Sequence, residues 1–144
     1  MMSDLEHIKL AEFDEGLPDH PMVVLEKPFV DDRGEIQPLV DRLMRSAVLI
    51  SSNPGAVRAN HYHKTGWHYC YVVEGSIEYY HRPAGSKEEA EKMTVKAGQM
   101  VFTPPMIEHS MRFTEKTLFL TMDRNPRDQE SYEADVVRVP VIDN

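Results

Sequence analysis

The chain has one cysteine in 144 residues, Cys70, so no intrachain disulfide framework can staple it. That residue lies in the run HYCYVVEG, where a thiol packs as a small apolar side chain. Positive charge is also in deficit: 16 Lys and Arg face 24 Asp and Glu, a formal net charge of -8. This balance excludes a broadly basic nucleic-acid-binding surface, and an anionic ligand would need a local basic pocket. No apolar run approaches the length of a bilayer span. The opening MMSDLEHIKLAEFDEG is acidic and polar, without the basic-then-hydrophobic order of a secretion signal. The expectation is a cytoplasmic protein with neither a membrane nor a nucleic-acid partner.

What is present is enough apolar material for one core and too little for two comfortable domains, with 41% hydrophobic and 28% charged residues. Residues 1–21 read as an N-terminal extension, with a short helix around LEHIKLAEF that ends at Gly16 and Pro18. Residues 22–144 read as the compact domain. Its candidate strands are MVVLEKPFV, RSAVLISS, AVRANHYH, HYCYVVEG, SIEYYHR, MTVKAGQMVFTPP, HSMRFTEKTLFLTMD and ADVVRVPVI. DDRGEI reads as a turn into an extended segment, NPG closes a strand, and EG followed at once by SIEYY suggests a hairpin. GSKEEAEKM is polar and suits a loop or one helical turn. Many short strands with Gly/Pro punctuation and no long helical period predict an all-β, antiparallel single domain, a sandwich or small jelly-roll barrel.

Histidine is where the chemistry concentrates. Three of the seven sit in HYHKTGWH as His61, His63 and His68, and a fourth, His109, follows the double-proline turn of GQMVFTPPMIEH. In an extended HYH, His61 and His63 face one side and Tyr62 the other, so both imidazoles can enter the interior while His68 returns on the next strand. Neutral imidazoles suit a divalent metal such as Fe, Mn, Ni, Cu or Zn, and the same set could equally serve as an acid/base pocket. His7, His20 and His81 lack a comparable constellation.

GAVRANHYHKTGWHYCYVVEG, from Gly55 to Gly75, resembles the first motif of the cupin superfamily: Gly, five residues, His-x-His, a spacer, Glu, six residues, Gly. His68 stands where that motif has its glutamate, which turns three histidines and one glutamate into four histidines. The second motif corresponds to Gly98, Pro104 and His109, with Met106 in place of its internal glycine. The resemblance covers roughly the central half of the chain and implies a double-stranded β-helix, the jelly-roll barrel of cupins, and a two-fold homodimer.

A narrower resemblance is to the sugar-nucleotide 3,4-ketoisomerases and the dTDP-4-dehydrorhamnose 3,5-epimerases. Asp32, Arg33 and Gly34 partly match their early Asp-x-Arg-Gly turn. RANHYHK is similar to the Arg-Gly-x-His-Ala-His-Lys wall of the ketoisomerases, so that Arg58, His61, His63 and Lys64 carry over, with Ala59 and Tyr62 in place of small residues. Those enzymes work without metal, and their histidines move protons beside a keto group. On this resemblance His61 or His63 is the base, and Arg58 and Lys64 offer positive charge to a diphosphate or an enediolate. Tyr71, Tyr79 or Tyr80 would donate a hydrogen bond.

If metal is bound instead, His61, His63, His68 and His109 are the ligands, with Glu108 or a tyrosine assisting. The expected partner is a small molecule, a nucleotide sugar on this resemblance. The expected function is isomerisation or epimerisation of a nucleotide-linked keto-sugar. An iron-dependent dioxygenase and a non-catalytic sugar- or metabolite-binding protein are the alternatives. Arg124, Arg127, Tyr132 and Arg138 of the tail read as structural rather than as a substrate mouth.

Overall fold

Alternating β-branched and aromatic residues between Gly/Pro breaks produce eleven strands in the computed structural model, which describes residues 10–144. They are β1 (Phe29–Asp31), β2 (Gly34–Ile36), β3 (Ser46–Ser52), β4 (Val57–His63), β5 (His68–Glu74), β6 (Ser76–Pro83), β7 (Glu91–Lys96), β8 (Met100–Thr103), β9 (Ile107–Arg112), β10 (Thr117–Asp123) and β11 (Val136–Arg138). Two short helices accompany them, α1 (Leu10–Asp14) and α2 (Gln129–Asp135). One sheet has the order β3-β10-β5-β8, the other β11-β4-β9-β6-β7, and β1 with β2 forms a separate hairpin. Every strand pairing is antiparallel. The two larger sheets form a jelly-roll-like sandwich and do not close into a barrel: β3 and β8 edge one sheet, β11 and β7 the other.

Inward-facing side chains split the interior into two ends. Cys70, Val72, Ile77, Tyr79, Val95, Val101, Met111, Phe113 and Phe119 form one apolar core. Beyond it, toward one end, the interior-facing positions of the same strands turn polar, and the histidines lie there. β5 is covered on both faces: Tyr69 joins Trp67, Met100, Phe102 and Met122 in a second cluster, roofed by Leu17, Val23, Leu25, Leu39, Val40 and Met44. His68, Tyr69 and Cys70 of β5 are therefore buried in succession, whereas edge strand β3 alternates and leaves Leu49 62% exposed. Gly75 illustrates why a motif glycine stands between β5 and β6. Its φ is +87°, and a Cβ there would lie 2.6 Å from the Lys116 carbonyl oxygen and 2.8 Å from the Thr117 Cα.

Several expectations are corrected. MVVLEKPFV is not one strand: only its end enters β1, while Met22 makes a single bridge to Val101 and Val23 donates to the Met100 carbonyl at 2.9 Å. GSKEEAEKM takes the loop form of the two expected for it, and its last residues enter β7. α1 overlaps the helix expected at LEHIKLAEF, of which residues 5–9 lie outside the described residues. The tail holds α2, which the reading by strand pattern missed. Asp128 caps it, its side chain accepting from the Ser131 N–H at 3.0 Å, a signal available in the spacing of RDQES. No helix among the described residues is long and apolar enough to cross a membrane.

Candidate active site

A bulge aims the first two histidines. Ala59 and Asn60 have φ of 69° and 55°, and the β4–β9 ladder skips Asn60, so that His61 pairs directly with His109. Asn60 is fixed there by reciprocal hydrogen bonds with Ile142, both 3.1 Å. His63 faces Val136 of β11. The turn before β9 places Met106 at φ 62°, and its N–H donates to the His63 carbonyl at 2.8 Å, tying the second motif to the first.

The four imidazoles meet at one end of the sandwich. Ring centroids are 4.8 Å apart for His61–His63, 4.7 Å for His61–His109, 5.5 Å for His63–His68 and 5.2 Å for His68–His109. Donor atoms of His61, His63 and His109 all lie within 4.8 Å of one another. His68 lines the same cavity but stands outside that triplet. Thus the structure gathers the expected histidines as three plus one.

Two of the rings are held by their Nδ1 atoms. Asp135, at the end of α2, lies 2.9 Å from His63 Nδ1 and also accepts from the Thr65 N–H at 2.7 Å, the Thr65 hydroxyl at 2.9 Å and the Gly66 N–H at 3.2 Å. A Cβ on Gly66 would sit 2.6 Å from the Asp135 carboxylate, so the hub requires glycine at that position. His109 Nδ1 lies 2.9 Å from the Ile107 carbonyl oxygen and donates to it, which leaves Nε2 as the acceptor. That Nε2 is buried and has no hydrogen-bond partner among the described residues.

Desolvation keeps these rings neutral. Burial lowers His61 to about 2, helped by His109, His63, Arg138 and Arg127, and lowers His109 to about 3 against the pull of the Ile107 carbonyl. Burial also takes His68 well below the ordinary histidine range, and His63 below it against the pull of Asp135. Neutral rings, a free buried Nε2 and three converging donors fit a divalent cation.

The cavity has a volume of about 140 Å³ and an apolar floor of Ile50, Met111 and Phe119. Its wall includes Asp123, Arg127 and Tyr132. Asp123 pairs across the sheet with His68. One of its oxygens is buried without a partner, the other lies 3.9 Å from Arg127, and burial raises its pKa to about 6. The Arg127 guanidinium stands 5.1 Å over the Tyr132 ring, which in turn meets His61 and His63 at 6.2 and 5.9 Å. For Arg127 and Tyr132 the structural reading of the tail is therefore corrected. Arg124 and Arg138 do act structurally, pairing with Asp14 at 2.8 Å and with Glu133 at 2.8 Å.

Other candidates stand elsewhere. Arg58 reaches the cavity margin, but its guanidinium donates to the Ser52 hydroxyl at 2.7 Å and the Ser51 carbonyl at 3.0 Å. Lys64 lines a separate outer groove with Arg45, Thr65 and Asn125. Glu108 faces away from the cavity, accepting from Arg82 at 2.7 Å and from the Gly85 N–H at 2.9 Å. Tyr79 is bound to the Thr103 hydroxyl at 2.6 Å and Tyr80 to Glu78 at 3.1 Å, and neither they nor Tyr71 line the cavity. His81 pairs with His109 across the sheet, but its ring stacks on Tyr79 and its Nε2 lies 3.7 Å from Glu91. Asp31 and Arg33 pair at 2.6 Å within the β1–β2 hairpin, remote from the histidines.

A comparison with curated protein sequences gave no match. Among solved structures, the chain resembles a 3,4-ketoisomerase from Helicobacter canadensis, with TM-score 0.69, 16% identity, and 83% of this chain and 90% of that one covered. It also resembles the QdtA 3,4-ketoisomerase from Thermoanaerobacterium thermosaccharolyticum in complex with TDP, with TM-score 0.64, 19% identity, and 83% and 84% covered. A third similar structure is dTDP-4-dehydrorhamnose 3,5-epimerase from Sulfolobus tokodaii, with TM-score 0.66, 16% identity, and 85% of each chain covered. At these identities the likeness is one of fold. The cupin domain family model matches residues 48–122, which hold all four clustered histidines, and the chain belongs to that family.

Proposed function

We propose that the chain is a metal-binding cupin that moves a proton beside a carbonyl, isomerising or epimerising a keto-sugar or a smaller compound of that chemistry. The observation that carries this reading is the buried, unpartnered Nε2 of His109 converging with His61 and His63. Those three residues would hold the ion, with His68 adjoining. A bound divalent metal would supply Lewis-acid polarisation of a substrate oxygen. Asp135 and the Ile107 carbonyl fix the Nδ1 sides of His63 and His109 and so leave both Nε2 lone pairs available. Ile50, Met111 and Phe119 exclude water from the floor, and Arg127 offers positive charge at the wall. The neighbours described as 3,4-ketoisomerases, one of them bound to TDP-4-keto-6-deoxyglucose, support the choice of substrate class. A cavity of about 140 Å³ suits the reacting edge of such a sugar, with any nucleotide outside.

One observation favours a metal-free variant of the same chemistry. The His63–Asp135 pair at 2.9 Å is a base with its orienting carboxylate, and of the cavity histidines only His63 has an acidic side chain countering desolvation. Metal analysis separates the two. Untagged protein, stripped and refilled with Fe, Mn, Ni or Zn, should carry close to one ion per chain. His109→Ala should lose it, and His68→Ala should weaken it less. Folded wild type that takes up no ion refutes the metal site and leaves His63 as the base.

A further inference from the structure

The sheet that carries His68, facing the one that carries His61, His63 and His109, brings its own recognition chemistry. Asp123 is 8% exposed, and one carboxylate oxygen is buried without a hydrogen-bond partner among the described residues, the hydroxyl of nearby Thr121 being turned to the Val48 carbonyl at 3.5 Å, whereas the other buried side-chain polar atoms nearly all have partners. Such an orphan costs free energy comparable to a lost hydrogen bond unless a ligand satisfies it. The geometry explains why it persists. The β10–β5 register sets Asp123 across from His68 on the inner face, and its own backbone carbonyl is taken by the Arg45 N–H at 2.9 Å. Arg127 stands 3.9 Å from the second carboxylate oxygen and is itself stacked on Tyr132, so it offsets the carboxylate's charge on one side only. In the ionised carboxylate the free oxygen can only accept.

We infer that Asp123 is a ligand-binding residue that accepts a hydrogen bond from a hydroxyl adjacent to the oxygen engaged on the histidine side, so that the cavity selects 2-hydroxy ketones and aldehydes over simple carbonyl compounds. The inference rests on the proposed reading that the histidine side engages a carbonyl oxygen, and it names the substrate class for that reading. Size agrees with the chemistry. An engineered protein cavity of about 150 Å³ holds benzene, and the cavity here is about 140 Å³. Dihydroxyacetone has as many non-hydrogen atoms as benzene and carries the carbonyl with a hydroxyl on each side. Keto-sugars present the same unit along one edge.

The test is an NMR chemical-shift titration of wild-type protein, metal-loaded and metal-stripped, with dihydroxyacetone, with acetone, and with propane-1,3-diol. Dihydroxyacetone should bind at least tenfold more tightly than either control. Asp123→Leu, which keeps the branched shape and removes both oxygens, should lose that preference and bring dihydroxyacetone to the acetone value. Asp123→Asn keeps one acceptor without the charge and should fall between; it carries the test if the leucine variant does not fold. Equal affinities for dihydroxyacetone and acetone in the wild type, absence of dihydroxyacetone binding, or a preference that survives removal of the carboxylate would overturn the inference. Failure of metal uptake with the hydroxyl preference intact would sink the metal site alone. Metal uptake without that preference would sink only the role of Asp123.

Discussion

Acid should unfold the metal-free protein steeply, because it buries four neutral imidazoles. An unfolded histidine titrates near 6.5, whereas in the folded chain burial lowers His61 to about 2 and His109 to about 3, and also lowers His68 and His63. Between those folded values and 6.5 the unfolded chain binds more protons, so this contribution is fully present above about 6.5 and lost as pH falls. Asp123 works the other way. Burial raises it to about 6, so between about 4 and 6 the folded chain keeps a proton that the unfolded chain has released. Asp135 lies outside the window. Burial raises its pKa, but hydrogen bonds from Thr65 and His63 outweigh that and hold it below the ordinary value, so its contribution is lost only at still lower pH.

The balance near pH 5 is an uptake of about two to three protons on unfolding, or roughly 3–4 kcal/mol per pH unit. For a chain of this size that amounts to on the order of 10 °C in Tm between pH 6 and pH 5. Circular-dichroism melts of stripped protein from pH 8 to pH 4.5 read it directly. A stability flat between pH 7 and pH 5 would refute the reasoning. Addition of the native metal should flatten the upper part of the profile, since coordinated imidazoles cannot take up protons until the ion leaves.

Asp135→Asn keeps the shape of the hub but removes its charge and one acceptor from donors on Thr65, Gly66 and His63. Urea unfolding should show a loss of about 2–4 kcal/mol, and metal affinity should fall about 10–100-fold; unchanged values for both would remove Asp135 from the site's support. Met106→Gly should stabilise by about 1 kcal/mol, because Met106 holds φ 62° while 49% exposed, with little packing to lose. A denaturation midpoint at or below wild type would show that the methionine side chain compensates for its backbone.

Period-two alternation made much of the sandwich legible, since HYH, HYCYV and SIEYY each place one set of residues inward. It did not distinguish a closed barrel from two sheets with free edges, a property of strand pairing that lies outside any single segment. The departures from the motif glycines were visible too, and their physical meaning emerges only from the backbone. Met106 occupies a left-handed position where the motif has glycine, and Ala59 does so where the ketoisomerase-like pattern has it. Asp123 and Asp135 escaped because nothing in TLFLTMDRNPRDQESYEAD resembles a ligand set, and for the same reason Arg127 and Tyr132 read as structural rather than as a substrate mouth. Asp123 reaches the cavity through the register of β10 on β5 and Tyr132 through α2, whose cap at Asp128 was the one local signal, while Asp135 at the end of that helix reaches His63.

Replacing the motif's glutamate with His68 also changes the electrostatics of the cavity. Four buried imidazoles contribute no charge, so a dication held there would lie in a poorly hydrated cavity without a carboxylate in the motif's own ligand set. Two carboxylates outside the motifs compensate from different distances. Asp135 acts through the His63 ring, making it a better donor, while Asp123 sits beside His68, the residue that displaced the glutamate. The charge that the first motif gives up is returned by the neighbouring strand and by the tail helix. On this view Asp123→Leu should weaken metal less than Asp135→Asn does, because only Asp135 touches a residue of the donor triplet.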